Sequence, residues 1–376
     1  MARSSISAFL TAPARENEAV IRIHDTSYRG FASDNYAGVH PEVLAALAEA
    51  NGGHQIAYGE DQYTAQLAEA VKAEFGEQAE VFPVFNGTGA NVLSLTALMP
   101  RWGAVIASGT AHIHTDEGGA PERVSGLKLF TVPTPDGKLT PELVATEAFG
   151  WGDEHRAQPL AVSITNTTEV GTVYTPADVR SLADYAHERG MALHLDGARV
   201  WNAAAALGTT LRAFTADAGV DVLSLGGTKN GLLGAEAIVV INPERVDGLI
   251  YLRKMNMQLA SKMRFISAQL LTLFDEGLGI RSAAHANAMA ARLRSGLEGM
   301  LAAGDVPADS LRFSQQTQAN AVFALLANDA ADRIRERVRF YDWDRARGEV
   351  RWMCAFDTTE ADIDAFLQVV REELTR

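Results

Sequence analysis

Short apolar runs recur along this chain, and nearly every one is followed by a turn and then by a stretch with helical periodicity. Val81–Phe85 (VFPVF), Ala104–Ser108 (AVIAS), Leu127–Val132 (LKLFTV) and Pro159–Thr165 (PLAVSIT) have the length and composition of buried strands. Met191–Asp196 (MALHLD), Asp221–Leu225 (DVLSL) and Ala237–Ile241 (AIVVI) continue the series. Between them, Thr64–Phe75, Ala90–Leu98 and Pro176–Arg189 carry helical patterns. His40-Pro41-Glu42 opens a further helix with proline in its first turn, and Gly52-Gly53 ends it. Strands alternating with helices predict an α/β domain with a mostly parallel sheet, whose strands are apolar throughout because both faces are covered.

The pattern changes towards the C-terminus. Tyr251–Phe274 predicts one long helical stretch, and Ser282–Leu301 another helix. Ala321–Leu326 and Val350–Phe356 are strand-like, and Glu360–Arg376 closes the chain as a helix. The expected organisation is a mobile tail over 1–20, a large domain over 21–265 and a smaller α+β domain over 266–376.

With 376 residues, the chain is long enough for a large core. A net charge of −14 argues against a nucleic-acid binder and against docking on anionic membranes. Cys354 is the single cysteine, which rules out an intrachain disulfide and suits a cytoplasmic location. No apolar stretch is long enough to span a bilayer. Arg3, the run Ile6–Leu10 and Ala12-Pro13-Ala14 imitate a signal peptide, but the apolar core is too short and is interrupted by serine.

Two segments carry the chemistry. Ala192–Arg199 (ALHLDGAR) puts Asp196 at the end of an apolar run, and Gly226–Gly231 (GGTKNG) puts Lys229 in a glycine-rich turn after the next. In open parallel sheets, ligands bind beyond the carboxyl ends of the strands. A buried lysine amine is nucleophilic, and a carboxylate against a pyridine nitrogen keeps that nitrogen protonated. Together they point to pyridoxal phosphate. Gly87-Thr88-Gly89 follows a strand and opens a helix, which makes a phosphate cradle of backbone N–H groups. A dinucleotide fingerprint is the rival, but Val92 takes the place of its third glycine and Ser108 ends the following strand where an acidic residue is needed. Arg199 can pair with a substrate carboxylate. His112, His114, Asp116 and Glu117 raise a metal site as an alternative if HxH ends a strand, but a ring-stacking role for His112 is preferred, and no metal is expected.

In the order Ser33-Asp34-Asn35, YGEDQYTAQL, FNGTGAN, AHIHTDEGGA, LHLDGAR, GGTKNG and SKMRF, the chain resembles the L-threonine aldolases of the low-specificity and phenylserine aldolase branch. The resemblance runs from about Ser33 to Arg351. It implies a fold-type I pyridoxal phosphate enzyme that cleaves L-threonine, L-allo-threonine or related β-hydroxy-α-amino acids to glycine and an aldehyde. It implies Lys229 as the Schiff-base lysine, Asp196 on the ring nitrogen, Gly87 and Thr88 on the phosphate, and His112 stacked on the ring. Arg264 would reach the phosphate of a neighbouring subunit, and Tyr58 would line the site across the interface. Ser33, Arg199 and Arg351 would hold the substrate carboxylate. The base for the β-hydroxyl is His112, Glu169 or an ordered water. A homodimer is the implied minimum and a homotetramer the implied assembly. A β-eliminating lyase or aminotransferase on the same fold, or an aldolase preferring phenylserine, are the alternatives. The sequence departs from the pattern in three places. Glu169 falls nearest a histidine of the better-known branch, Thr228 replaces serine before the lysine, and Gly89 replaces a glutamine.

Overall fold

The computed structural model describes residues 23–376, so the tail expected over 1–20 lies outside the described residues. Seven strands form the main sheet: β1 (Glu80–Val84), β2 (Gly103–Ser108), β3 (Lys128–Val132), β4 (Gln158–Thr165), β5 (Ala192–Gly197), β6 (Val222–Leu225) and β7 (Glu236–Val240). Their order is β1-β7-β6-β5-β4-β2-β3. From β6 to β3 every neighbouring pair is parallel, while β7 runs against both β6 and β1. The sheet is therefore mostly parallel, as expected from the apolar runs. Every residue of β2, β5, β6 and β7 is buried, which is what a strand covered on both faces requires.

Helices start where the sequence satisfies their first N–H groups. Thr175 and Asp178 form a capping box at the helix Pro176–Glu188. The Asn86 side chain accepts from Gly89 N at 2.7 Å and so caps the helix Gly87–Leu98. That cap fixes the entry of this helix beyond the carboxyl end of β1.

A second, antiparallel sheet has the order β10-β11-β9-β8, with β8 (Leu311–Phe313), β9 (Ala321–Leu326), β10 (Tyr341–Asp344) and β11 (Glu349–Met353). Its apolar core joins Trp352, Phe340, Val322 and Val350 to the long helix Leu278–Ala303 through Leu293 and Leu297, and to the closing helix Glu360–Leu374 through Ile363 and Phe366. Phe31, from the segment before the first helix, stacks on Phe366 with ring centroids 4.4 Å apart. The N-terminal segment is thereby held beside β11.

Two local expectations change. The stretch Tyr251–Phe274 is not one helix: a helix Leu249–Met255 stops, and a second begins at Arg264 and ends at Phe274. Met257 sits in the left-handed region at φ 61°. The next residue, Gln258, turns inward, and its Oε1 accepts the Phe85 N–H at 3.0 Å. A tertiary contact thus overrides local helical propensity. The His112-Ile113-His114 segment is a helical turn, His112–Thr115, rather than a strand end. His112 points inward and His114 outward, so the two imidazoles share no face.

Candidate active site

Beyond the carboxyl ends of the parallel strands lies a cleft of about 850 Å³. Ser33, His112, Glu169, Arg199, Lys229 and Arg351 all line it. Segments far apart in sequence are thus brought together by the sheet order. His112 follows β2, Glu169 follows β4, Arg199 follows β5 and Lys229 follows β6, while Arg351 comes from β11 of the second sheet.

Lys229 sits in the short turn Thr228–Asn230, and Glu236 supports the turn from below. The buried Glu236 carboxylate accepts from Gly227 N at 3.0 Å and from Thr228 N at 3.3 Å. Burial lowers the Lys229 pKa, and the neighbouring Arg199 charge lowers it further. Both effects favour the neutral, nucleophilic amine.

Asp196 closes β5 and is only 4% exposed. Its Oδ1 accepts from Ala198 N at 2.9 Å and its Oδ2 from Asn91 Nδ2 at 2.8 Å. Asn91 lies on the helix Gly87–Leu98, so the helix that opens with Gly87 and Thr88 also grips Asp196. The same Asn91 Nδ2 donates to Glu117 Oε1 at 2.8 Å, and that oxygen lies 3.0 Å from His112 Nδ1. His112, Glu117, Asn91 and Asp196 therefore form one chain of polar contacts.

Glu169 is half-buried beside the same group. Its Oε1 accepts the His112 N–H at 2.9 Å and the Thr165 hydroxyl at 2.8 Å. Burial raises its pKa, and the nearby Asp196 charge adds to the effect.

Four arginines line the cleft: Arg199, Arg345, Arg347 and Arg351. Arg199 is bidentate on Asp34, with Nε 2.6 Å from Oδ2 and Nη2 2.9 Å from Oδ1. Burial works against an ionised Asp34, yet the Arg199 charge and hydrogen bonds hold its carboxyl below the usual range. Arg345 pairs with Asp332 and Asp342, and Arg347 with Glu349. Among the described residues, only Arg351 of the four has no carboxylate partner. Its Nε is buried without a hydrogen bond, and its Nη2 donates only to the Ala32 carbonyl, at 3.3 Å. Burial brings its pKa down to about 10, helped by repulsion from Arg199. An arginine left this way calls for an anion from outside the chain.

At the cradle, a Cβ on Gly89 would stand 2.5 Å from Cδ of Gln258. The carboxamide of Gln258 thus fills the space over the glycine.

Arg264 and Tyr58 lie apart from the cleft. Arg264 Nη1 is 3.5 Å from the Gly53 carbonyl, and Tyr58 N donates to the Ser261 carbonyl at 3.0 Å. Tyr58 adopts φ 62° and is half exposed, in company with exposed Ile56 and Met257.

Residues 30–324 match the family model described as beta-eliminating lyase. The low specificity L-threonine aldolase of Pseudomonas sp. (strain NCIMB 10558) is 44% identical over 335 residues, covering 89% of this chain and 94% of that protein. The chain belongs to the beta-eliminating lyase family, in its L-threonine aldolase group. The low specificity L-threonine aldolase of Pseudomonas aeruginosa is also 44% identical, over 91% of this chain and 96% of its own length. Among solved structures, the Leishmania major threonine aldolase superposes with a TM-score of 0.84 at 29% identity, covering 92% of this chain and 99% of that one. The fold is that of the fold-type I pyridoxal phosphate enzymes, and the family is one of lyases.

Sequence reasoning alone did not find Asn91 as the partner of Asp196, Asp34 as the partner of Arg199, or Gln258 at the cradle. In the sequence, Glu117 signals only a candidate metal ligand. For Asn91 a weak signal existed, since it lies one helical turn into the cradle helix and so faces the same way as the cradle.

Proposed function

We propose that this protein cleaves L-threonine, L-allo-threonine and related β-hydroxy-α-amino acids to glycine and an aldehyde, with pyridoxal phosphate as cofactor. The observation that carries the reading is that Lys229 and the unpaired Arg351 line one cleft, with Asp196 joined to the cleft-lining His112 through Asn91 and Glu117. The residues present fit the cofactor: an amine of lowered pKa, a buried carboxylate, and N–H groups of Gly87 and Thr88 at a helix start. When bound, pyridoxal phosphate supplies an aldehyde for the substrate amine and a ring that accepts the electron pair of the breaking Cα–Cβ bond.

The remaining roles fall to the chain. Gly87 and Thr88 hold the phosphate, and Asp196 holds the ring nitrogen with Asn91 keeping its carboxylate oriented. Arg351 takes the substrate carboxylate, assisted by Ser33 and by the free Nη1 of Arg199. His112 and Glu169 stand where a proton must leave the β-hydroxyl. The reading also assigns Tyr58 and Arg264 to the site of a neighbouring subunit, in a homodimer or a tetramer built from dimers. Support comes from their distance from this chain's own cleft and from the exposed apolar side chains around Tyr58. No helix of the described residues is long and apolar enough to cross a membrane. The lone Cys354 is buried, in keeping with an enzyme of the cytoplasm.

The test is product identification with L-threonine and L-allo-threonine. Glycine and acetaldehyde in equal amounts are expected, and Lys229→Ala is expected to abolish them. Ammonia and 2-oxobutanoate would refute the retro-aldol reading and move the protein to a dehydratase or β-eliminating chemistry.

A further inference from the structure

We infer that Glu117, held by Asn91, is a positioning residue that fixes His112 as the Nδ1–H tautomer and so presents the lone pair of Nε2 to the substrate β-hydroxyl. The inference rests on the retro-aldol reading and assigns work within it. It follows from counting donors and acceptors. The Asn91 amide nitrogen touches two carboxylates, Asp196 Oδ2 and Glu117 Oε1, each at 2.8 Å. An amide oxygen there would face two acceptors, so the NH2 group must occupy the position and both its hydrogens are spent. Ionised Glu117 therefore accepts through Oε1 both from Asn91 and from His112 Nδ1, 3.0 Å away, and the imidazole donates; burial raises the Glu117 pKa, and these same two hydrogen bonds work against that rise. In the neutral ring the one remaining lone pair is then on Nε2. The Glu117 side chain is fully buried, whereas that of His112 is 36% exposed. The ring edge away from Nδ1 is thus the edge turned to the cleft that His112 lines.

The surroundings of the ring agree. Its pKa is raised, first by the hydrogen bond to Glu117, against the opposing cost of burial. Asp196 at the end of β5 raises it further, and Lys229 in the turn after β6 opposes them. Glu169, following β4, engages the backbone N–H of His112 and leaves the ring nitrogens alone. In the reaction, Nε2 takes the β-hydroxyl proton as the Cα–Cβ bond breaks. The hydroxyl oxygen becomes the aldehyde carbonyl, and the bonding pair stays with the Cα fragment. That fragment gains one proton to become glycine, which balances the one the hydroxyl lost.

Two variants of the holoenzyme test this. Glu117→Leu removes the acceptor; solid-state 15N spectra of histidine-labelled protein, with His112→Asn as the difference reference, should show Nε2 gaining the proton. Its kcat for L-threonine should fall about 100-fold, the scale of a lost proton acceptor. KM should stay within about twofold of wild type, because the carboxylate grip of Arg351 is untouched. Glu117→Gln keeps an oxygen on Nδ1, since Asn91 can face only the oxygen of that amide. It removes the charge, so the wild-type tautomer should persist while the acid limb of the kcat profile moves to lower pH. A Glu117→Leu spectrum identical to wild type, or a fall in kcat without a change of tautomer, overturns the assignment. If Glu117→Leu does not fold, an unmoved acid limb in Glu117→Gln overturns it instead. Absence of glycine from any substrate would refute the retro-aldol reading, while the spectra would still decide the tautomer.

Discussion

Acidification should destabilise this protein in part through one buried histidine beneath the site. His194 lies on β5 two residues before Asp196, so both project from the same face of the sheet. It is completely buried, with Nδ1 2.9 Å from Ser163 Oγ and Nε2 2.9 Å from Ser224 Oγ. Hydroxyls can accept from either nitrogen, so protonation breaks no hydrogen bond; its cost is a charge without solvent. Burial therefore brings the His194 pKa down to about 4, against an ordinary value of 6.5, although Asp196 pulls the other way. Between those two values the unfolded chain binds a proton that the folded chain refuses, so stability is full above pH 6.5 and declines as the pH falls towards 4. At 1.36 kcal/mol per unit, the interval of about 2.5 units amounts to about 3 kcal/mol, of which about 2 kcal/mol is lost by pH 5. The assay is urea unfolding at fixed protein and cofactor concentration from pH 7.5 to 4.5, comparing wild type with His194→Gln. Native carboxylates titrate in both proteins, so the difference in slope isolates the histidine. The variant should be less stable at pH 7.5 and should lose less on acidification. Parallel profiles would refute the reasoning.

Three further outcomes follow from the same contacts. Arg351→Ala should raise KM for L-threonine about tenfold to a hundredfold, the worth of charge-assisted hydrogen bonds to a carboxylate, with cofactor affinity unchanged; an unaltered KM would remove Arg351 from the site. Asp34→Ala leaves Arg199 buried and unpaired, and should cost about 3–5 kcal/mol in denaturant unfolding; a loss under about 1 kcal/mol would mean that the pair is not a buried one. Gly89→Ala should displace the Gln258 carboxamide, lowering pyridoxal phosphate affinity in a fluorescence titration while changing apoprotein stability by no more than about 1 kcal/mol. Wild-type affinity in that variant would show that the amide does not serve the cradle.

Much of this architecture was legible because the decisive signals are local. Strands covered on both faces must be continuously apolar, so β2, β5, β6 and β7 stand out as runs. Asp196 ends one run and Lys229 stands in the turn after the next, and their place beyond the carboxyl ends of the strands follows from strand direction alone. The reversal of β7 was not legible, because Ala237–Ile241 has the same composition whichever way it points. Nor was the break after Met255, which depends on Gln258 finding Phe85 N from 173 residues away. The same holds for pairings: Asp34 and Arg199 are 165 residues apart, and Asn91 and Asp196 are 105. A carboxylate in Ser33-Asp34-Asn35 gives no sign of which cation it will neutralise. Only the assembled sheet shows that Arg199 is already partnered and that Arg351 is not.

Glu169, which by resemblance falls nearest a histidine of the better-known aldolase branch, bears on what moves the proton in the proposed reaction. Sequence left His112, Glu169 and water on equal terms. In the fold, Glu169 Oε1 receives two donors, one of them the backbone N–H of His112 itself, and its burial raises its affinity for a proton. A carboxyl anchored in this way fixes the start of the turn that carries the imidazole. Glu117 holds the same imidazole by its Nδ1 edge. Two carboxyl groups from different segments therefore converge on one ring, one through its backbone and one through its side chain. Such support is useful if the ring must keep its place while its own charge changes. That favours His112 as the proton acceptor in the proposed reaction and leaves Glu169 the anchoring role, for which a neutral histidine, with one acceptor nitrogen, could not take both donors.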